Sequence, residues 1–206
     1  YDIVFMAIDK KEDEWDLYRY NLITGKYCNL TEKSGFRNED PKFSNDYKKI
    51  VFKRGHRDPI TDEFIYDLYE TDLLSGEASR LTDTPVEEAM PFYSTDDSMV
   101  YYAAVSDGMS NICCFNKKSG KATDIFREEN VFSYYPIVHN DILYFTKWFS
   151  PQNKNDCIVK LINGKAELIP HQNPTYNYSD VCPLSDNKMI ISSTENGSYD
   201  LFYFDE

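Results

Sequence analysis

Asp16-Leu17-Tyr18-Arg19-Tyr20-Asn21-Leu22 is the stretch that decides the fold, because the chain writes it again. It returns as Asp67-Leu68-Tyr69-Glu70-Thr71-Asp72-Leu73. Weaker forms follow, Asn111-Ile112-Cys113-Cys114-Phe115-Asn116 and Asp156-Cys157-Ile158-Val159-Lys160-Leu161, and the chain closes on Asp200-Leu201-Phe202-Tyr203-Phe204-Asp205. The starts at 16, 67, 111, 156 and 200 are spaced by 51, 44, 45 and 44 residues. Strand-like content at that period predicts radial repetition of one small sheet.

Working outward, each copy sits in a longer cycle. Tyr1 to Ala7 is an apolar run that reappears as Lys48-Lys49-Ile50-Val51-Phe52-Lys53-Arg54 and as Ser98 to Ala104. Thr24-Gly25-Lys26, Ser75-Gly76-Glu77, Ser119-Gly120-Lys121 and Asn163-Gly164-Lys165 make turns, where glycine takes positive φ without steric cost. A short strand such as Tyr27 to Thr31 or Ala78 to Thr82 follows each turn, and then a loop. Pro41-Lys42-Phe43-Ser44-Asn45-Asp46 and Pro91-Phe92-Tyr93-Ser94-Thr95-Asp96 each read as a strand ending in an Asx-type turn. The third cycle shortens that turn to His139-Asn140; the fourth reads Cys182-Pro183-Leu184-Ser185-Asp186, with Cys182 at the repeat proline and the proline displaced to Pro183. No helical period appears, so the chain is all-β, with four strands per cycle and one domain over residues 1–206.

The cycle resembles the WD-like repeat of TolB-type β-propellers. Pro41-Lys42-Phe43-Ser44-Asn45-Asp46 with Ile50-Val51-Phe52, Asp67-Leu68-Tyr69 with Asp72-Leu73-Leu74-Ser75-Gly76, and Arg80-Leu81-Thr82 carry the likeness, which extends over the whole chain. It implies a β-propeller of four-stranded antiparallel blades. It also implies a periplasmic or extracellular setting. The same repeat serves TolB, the gating propellers of prolyl-oligopeptidase-like peptidases, tricorn-like proteases and oligogalacturonate lyases, so it does not select a function.

The pattern begins on the second strand of a blade and ends on a third. It contains five second-and-third-strand hairpins, four outer strands and four inner strands. Two architectures satisfy that count: a five-bladed propeller with two sparse end blades, or an excerpt of a six-bladed ring. An open ring leaves unpaired blade edges and implies an oligomer or assembly partner.

With 22 basic and 35 acidic residues the formal charge is −13, which argues against nucleic acid and anionic membrane surfaces. No apolar run reaches the roughly 18 residues of a membrane helix, so no membrane insertion is expected. No leader is visible at Tyr1, which leaves the compartment open. The five cysteines have no metal-ligand spacing; Cys113, Cys114, Cys157 and Cys182 read as small buried hydrophobes, with a Cys113–Cys157 bridge left open.

Function is expected on the long loops that share one face of the propeller. Trp15, Phe36, Phe64, Trp148, Phe149, Tyr176 and Tyr178 are the aromatic candidates for stacking on a sugar or anchoring a peptide, set against the alternative that they pack between blades. Glu39, Asp40 and Glu88 precede inner strands and are expected near the central channel, where acid groups suit a cation or a basic peptide. The recurring Asp16, Asp67, Asp156 and Asp200 read as structural, bonding backbone at the start of a strand. No G-x-S-x-G elbow, phosphate loop, zinc motif or calcium loop is present, and no catalytic residue, metal ligand or cofactor is assigned. The expectation is a non-enzymatic binding propeller for a protein, peptide or glycan. The alternatives are a lyase or glycosidase resting on His56, His171 and nearby carboxylates, and a regulatory propeller domain of a larger peptidase.

Overall fold

A computed structural model describes residues 1–9, 14–106, 108–149, 154–185 and 187–205. The expected turn at Asp186 and the middles of the loops Asp9 to Trp15 and Lys147 to Asn155 lie outside them. The described residues form eighteen strands and no helix.

The strands group as the repeat requires. Blade 1 holds β1 (Asp2–Asp9), β2 (Glu14–Asn21) and β3 (Tyr27–Asn29). Blade 2 holds β4 (Arg37–Phe43), β5 (Lys49–Arg57), β6 (Phe64–Asp72) and β7 (Ala78–Arg80). Blade 3 holds β8 (Glu87–Tyr93), β9 (Met99–Ser106), β10 (Met109–Asn116) and β11 (Lys121–Phe126). Blade 4 holds β12 (Phe132–His139), β13 (Ile142–Trp148), β14 (Cys157–Ile162) and β15 (Lys165–Leu168). Blade 5 holds β16 (Tyr178–Ser185), β17 (Lys188–Ser193) and β18 (Asp200–Asp205). Neighbours within each blade are antiparallel, and one parallel bridge, Ser110 to Phe132, links blades 3 and 4. The five hairpins, four inner strands and four outer strands read from the sequence are all present.

Four apolar clusters fill the four junctions. Leu17 packs with Ile50 and Phe52; Val51 and Leu68 with Tyr93, Val100 and Tyr102; Ile112 with Leu143, Phe145 and Val159; Tyr144 and Ile158 with Tyr178, Met189 and Ile191. Alternation along each strand explains this. Odd and even residues face opposite neighbours, so both faces of an inner blade are apolar. Blades 1 and 5 make no contact with each other among the described residues, so the ring is not closed. Phe5 and Tyr18 stack at 5.6 Å and repeat the Phe52–Tyr69 pair of blade 2. Yet Phe5 is 37% exposed where Phe52 is fully buried, because among the described residues no blade lies against that face of β1.

Every inner strand carries the same bulge. The ladder slips by one residue between Glu39 and Lys42, Ala89 and Phe92, Tyr134 and Ile137, and Ser179 and Cys182. The extra residue is left-handed each time: Asp40 (φ +55°), Met90 (+55°), Tyr135 (+52°) and Asp180 (+52°). Such φ values are uncommon outside glycine and genuine outliers for bulky side chains. Pro41, Pro91 and Pro136 follow directly, and a bulge on an edge strand is where a missing N–H is tolerated. In blade 5 the residue after the bulge is Val181. The repeat proline is therefore replaced by Val181, not by Cys182, and Pro183 is two residues further on.

The strand register corrects a second alignment. Asp16 stands opposite Ala7, Asp67 opposite Arg54, Asn111 opposite Ala104 and Asp200 opposite Ser193. In blade 4 the matching position, opposite Lys147, holds Cys157. Asp156 lies one residue earlier, at the place of Tyr66. At the true repeat position Asp16 bonds side chains rather than the backbone directly: Thr31 Oγ1 donates to it at 2.6 Å and itself accepts the Leu17 N–H at 3.0 Å. Arg80 donates to Asp67 at 2.7 Å, and Thr82 Oγ1 accepts the Leu68 N–H at 2.9 Å. Blade 4 substitutes Gln172, whose Oε1 accepts the Ile158 N–H at 2.7 Å.

Candidate functional site

The bulges bring their left-handed residues together. Asp40, Met90, Tyr135 and Asp180 line one axial cavity of about 320 Å³. Met90, Tyr135 and Asp180 also border a larger cleft of about 500 Å³ beside blades 4 and 5. Its walls add Tyr134, Trp148, Tyr199 and Asp156, with hydroxyls from Thr146, Ser179 and Ser192. Tyr134 lies 6.1 Å from Trp148 and 6.4 Å from Tyr135, centroid to centroid, and Phe132 meets Trp148 edge-on at 5.0 Å. The cleft is thus walled by π-faces, with two carboxylates among them.

Asp156 is in the cleft because of the one-residue offset in register. Its Oδ1 accepts the Phe149 N–H at 3.2 Å, and Tyr199 lines the same cleft. Burial pushes the Asp156 carboxyl above its ordinary range, against the pull of the Phe149 hydrogen bond. Burial likewise raises Tyr134, Tyr135 and Tyr199, so all three present neutral hydroxyls at pH 7.

The sequence-expected residues do not converge on one site. Trp148 alone of them borders the first cleft. Phe149 and Tyr176 border a second cleft of about 480 Å³, reached from the other side of Asp156, which lines both. Lys147 and Lys154 sit 5.4 and 5.7 Å from the Phe149 ring centre. Tyr178 also lines the second cleft but is 1% exposed and belongs to the junction cluster, its hydroxyl donating to Glu195 at 2.6 Å and accepting from the Asn173 N–H.

Blade 2 holds most of the others. Glu39 bonds Arg37 at 2.5 Å and Lys53 at 3.0 Å; Asp40 lies 3.9 Å from Lys53 and accepts the Met90 N–H at 3.3 Å. Burial raises the Asp40 carboxyl, with Lys53 opposing it. Phe36 lies beneath Arg54 at 5.1 Å, and Phe64 beneath Arg37 and Arg57 at 5.4 and 4.7 Å. Trp15 is half-buried on β2, opposite Ile8 in blade 1.

Glu88 is a correction. It was expected near the channel, but it is 1% exposed and accepts hydrogen bonds from the Thr82 and Thr84 hydroxyls. Side chains alternate across β8, so Glu88 points opposite to Glu87, which reaches Lys53 at 3.2 Å. Burial pushes the Glu88 carboxyl up to about 7. His56 stands on β5, while His171 packs on Phe204 in a different part of the array, so the two do not share a blade. Among the described residues no group of three His, Cys, Asp or Glu is placed to hold a metal ion. The five cysteines are free thiols, so Cys113 and Cys157 are not bridged.

Tyr135, Tyr199, Asp156 and Asp180 were not singled out from the sequence as site residues. The available signal was positional: Tyr135 and Asp180 occupy the slot just before the repeat proline position.

Comparison with known proteins matches this architecture. No family model matches the chain. Dipeptidyl-peptidase 5 of Porphyromonas gingivalis is 25% identical over 185 residues, which is 89% of this chain and 26% of that protein. TolB from Acinetobacter baumannii superposes with a TM-score of 0.66 at 15% identity, over 100% of this chain and 51% of that one. An oligogalacturonate lyase in complex with manganese gives a TM-score of 0.69 at 15% identity, over 99% of this chain and 58% of that one. The chain therefore spans about a quarter of the curated relative it matches and about half of these solved chains. Repeat, blade order and superposition agree, and by its fold the chain is a TolB-like β-propeller.

Proposed function

We propose that the chain is a non-enzymatic binding propeller and that its partner, a protein or peptide, seats a segment in the cleft between Trp148 and Asp180. The observation that carries this reading is the cleft itself: about 500 Å³ of space walled by the aromatic rings and carboxylates of blades 4 and 5. Aromatic walls supply contact area with little side-chain entropy to lose, and a few placed polar groups fix orientation. The test is calorimetric titration with peptide and oligosaccharide libraries, for wild type and Trp148→Ala. Binding that Trp148→Ala weakens at least tenfold supports the reading. Binding that is indifferent to Trp148→Ala places the partner elsewhere and refutes it.

A second reading rests on the relative. Similarity over 89% of this chain to part of a dipeptidyl-peptidase favours a role as the propeller portion of a larger peptidase. Immunoblotting of the native protein in its source cells distinguishes the two. A band near 24 kDa rules out the larger assembly.

A further inference from the structure

The repeat supplies an internal comparison for the cleft. In blade 2 the equivalent position is filled by the protein's own ammonium group. Lys53, on β5 opposite Glu39, places its Nζ 4.4 Å from the centre of the Tyr66 ring, 3.0 Å from Glu39, 3.2 Å from Glu87 and 3.9 Å from Asp40. Burial works against the charged lysine, but the Asp40 and Glu39 carboxylates outweigh it and hold Lys53 above its ordinary value.

Register carries each of these residues onto blade 4. Tyr134 is opposite Thr146 as Glu39 is opposite Lys53, so Thr146 stands at the lysine's position. Tyr135 takes the place of Asp40 in the bulge, and Asp156 takes the place of Tyr66. Ring and carboxylate have traded places, Asp180 is added from the next blade, and the long cationic side chain is replaced by a short hydroxyl. What remains is the cleft, with four aromatic rings and two carboxylates and, among the described residues that line it, no lysine or arginine.

We propose that this cleft takes an organic cation, the ammonium or guanidinium of a ligand side chain or chain end, at the position that Lys53 Nζ occupies in blade 2. The inference rests on the reading of the cleft as the partner site and names the group it recognises. The chemistry is that of a cation held against π-faces and charge-paired with carboxylates, which is strongest where water is partly excluded.

The experiment titrates the protein with Nα-acetyl-lysine methylamide, its arginine counterpart, and the neutral isostere Nα-acetyl-norleucine methylamide, followed by Trp fluorescence and calorimetry. The lysine or arginine probe is expected to bind at least tenfold more tightly than norleucine, and which of the two binds better separates ammonium from guanidinium. Asp180→Asn is expected to weaken that probe about tenfold while leaving the norleucine probe unchanged. Thr146→Lys rebuilds the blade 2 arrangement and is expected to abolish cation binding with the thermal midpoint retained. Equal binding of lysine, arginine and norleucine probes, all sensitive to Trp148→Ala, overturns the cation inference and leaves the binding reading standing. Cation binding that is indifferent to Trp148→Ala, Asp180→Asn and Thr146→Lys overturns both.

Discussion

The Tyr93 hydroxyl donates a 2.9 Å hydrogen bond to Glu70 Oε1 across the junction between blades 2 and 3. The same carboxylate accepts from Lys49 at 2.6 Å and from Lys117 at 2.5 Å. Tyr93→Phe removes one neutral-to-charged bond without disturbing the ring and should cost about 2 kcal/mol. Glu70→Gln leaves two lysines without their partner and should cost roughly 3 kcal/mol. Burial pushes the Glu70 carboxyl up, but the bonds from Lys117 and Lys49 outweigh it and hold it below its ordinary value. The folded pKa is depressed, so this stabilisation is present above the unfolded value of 4.5 and is lost as pH falls below it. Urea titrations at pH 3.5 and 6 on both variants check the size and the sign.

Glu88 acts in the opposite direction and in a different window. Its folded pKa of about 7 exceeds the ordinary 4.5, so the folded protein binds the extra proton between those values. Stability from this group is complete below pH 4.5 and is lost as pH rises through 7, a loss of roughly 3 kcal/mol. Glu88→Gln keeps an acceptor for the Thr82 and Thr84 hydroxyls but cannot ionise. The variant should show a flat stability profile from pH 5 to 8 where the wild type declines. Equal slopes in denaturant titrations across that range would refute the assignment.

Gly55 lies against Tyr66, whose ring carbons would lie 2.5 to 3.0 Å from an added Cβ. The ring is held in place by the Lys53 ammonium above it. Gly55→Ala should therefore cost about 2 kcal/mol, or roughly 4–8 °C in the thermal midpoint. Gly120→Ala, where no heavy atom lies within 4 Å but φ is +66°, separates backbone strain from steric conflict.

Thiol reactivity should divide the cysteines. Cys28 and Cys182 are exposed, while burial pushes the thiols of Cys113 to about 12 and of Cys114 and Cys157 to about 11. Iodoacetamide at pH 8 should alkylate Cys28 and Cys182 in the native protein, and all five residues only after unfolding. Peptide mass mapping reads the outcome. Rapid native labelling of Cys113 would contradict the burial described.

The blades were legible because their information is local and repeated. An apolar alternation, a glycine turn and an Asp–Thr pair such as Asp16 with Thr31 recur often enough to show the period. The cleft was less legible because it depends on departures from that period. Asp156 looked like the repeat aspartate in sequence, yet β14 pairs one residue out of step with it, and only the ladder opposite Lys147 reveals this. Glu88 illustrates the other limit: facing in or out is decided by a period of two residues, and a bulge between Ala89 and Phe92 resets the count. Aromatics divide for a third reason. Trp148 and Phe149 are neighbours in the chain but border separate clefts, and sequence proximity does not carry that distinction.

The missing contact between blades 1 and 5 has a thermodynamic consequence. Among the described residues each blade touches only its sequence neighbours, so cooperativity in this chain runs along a line with two loose ends rather than around a loop. Unzipping can start at either end with the loss of a single cluster, Leu17–Ile50–Phe52 at one side or Tyr144–Met189–Ile191 at the other. Amide exchange should then grade inward, fastest in β1–β3 and β16–β18 and slowest in β9 and β10. The proposed cation cleft straddles blades 4 and 5, so a bound ligand would rivet the last link of the chain and slow exchange there first.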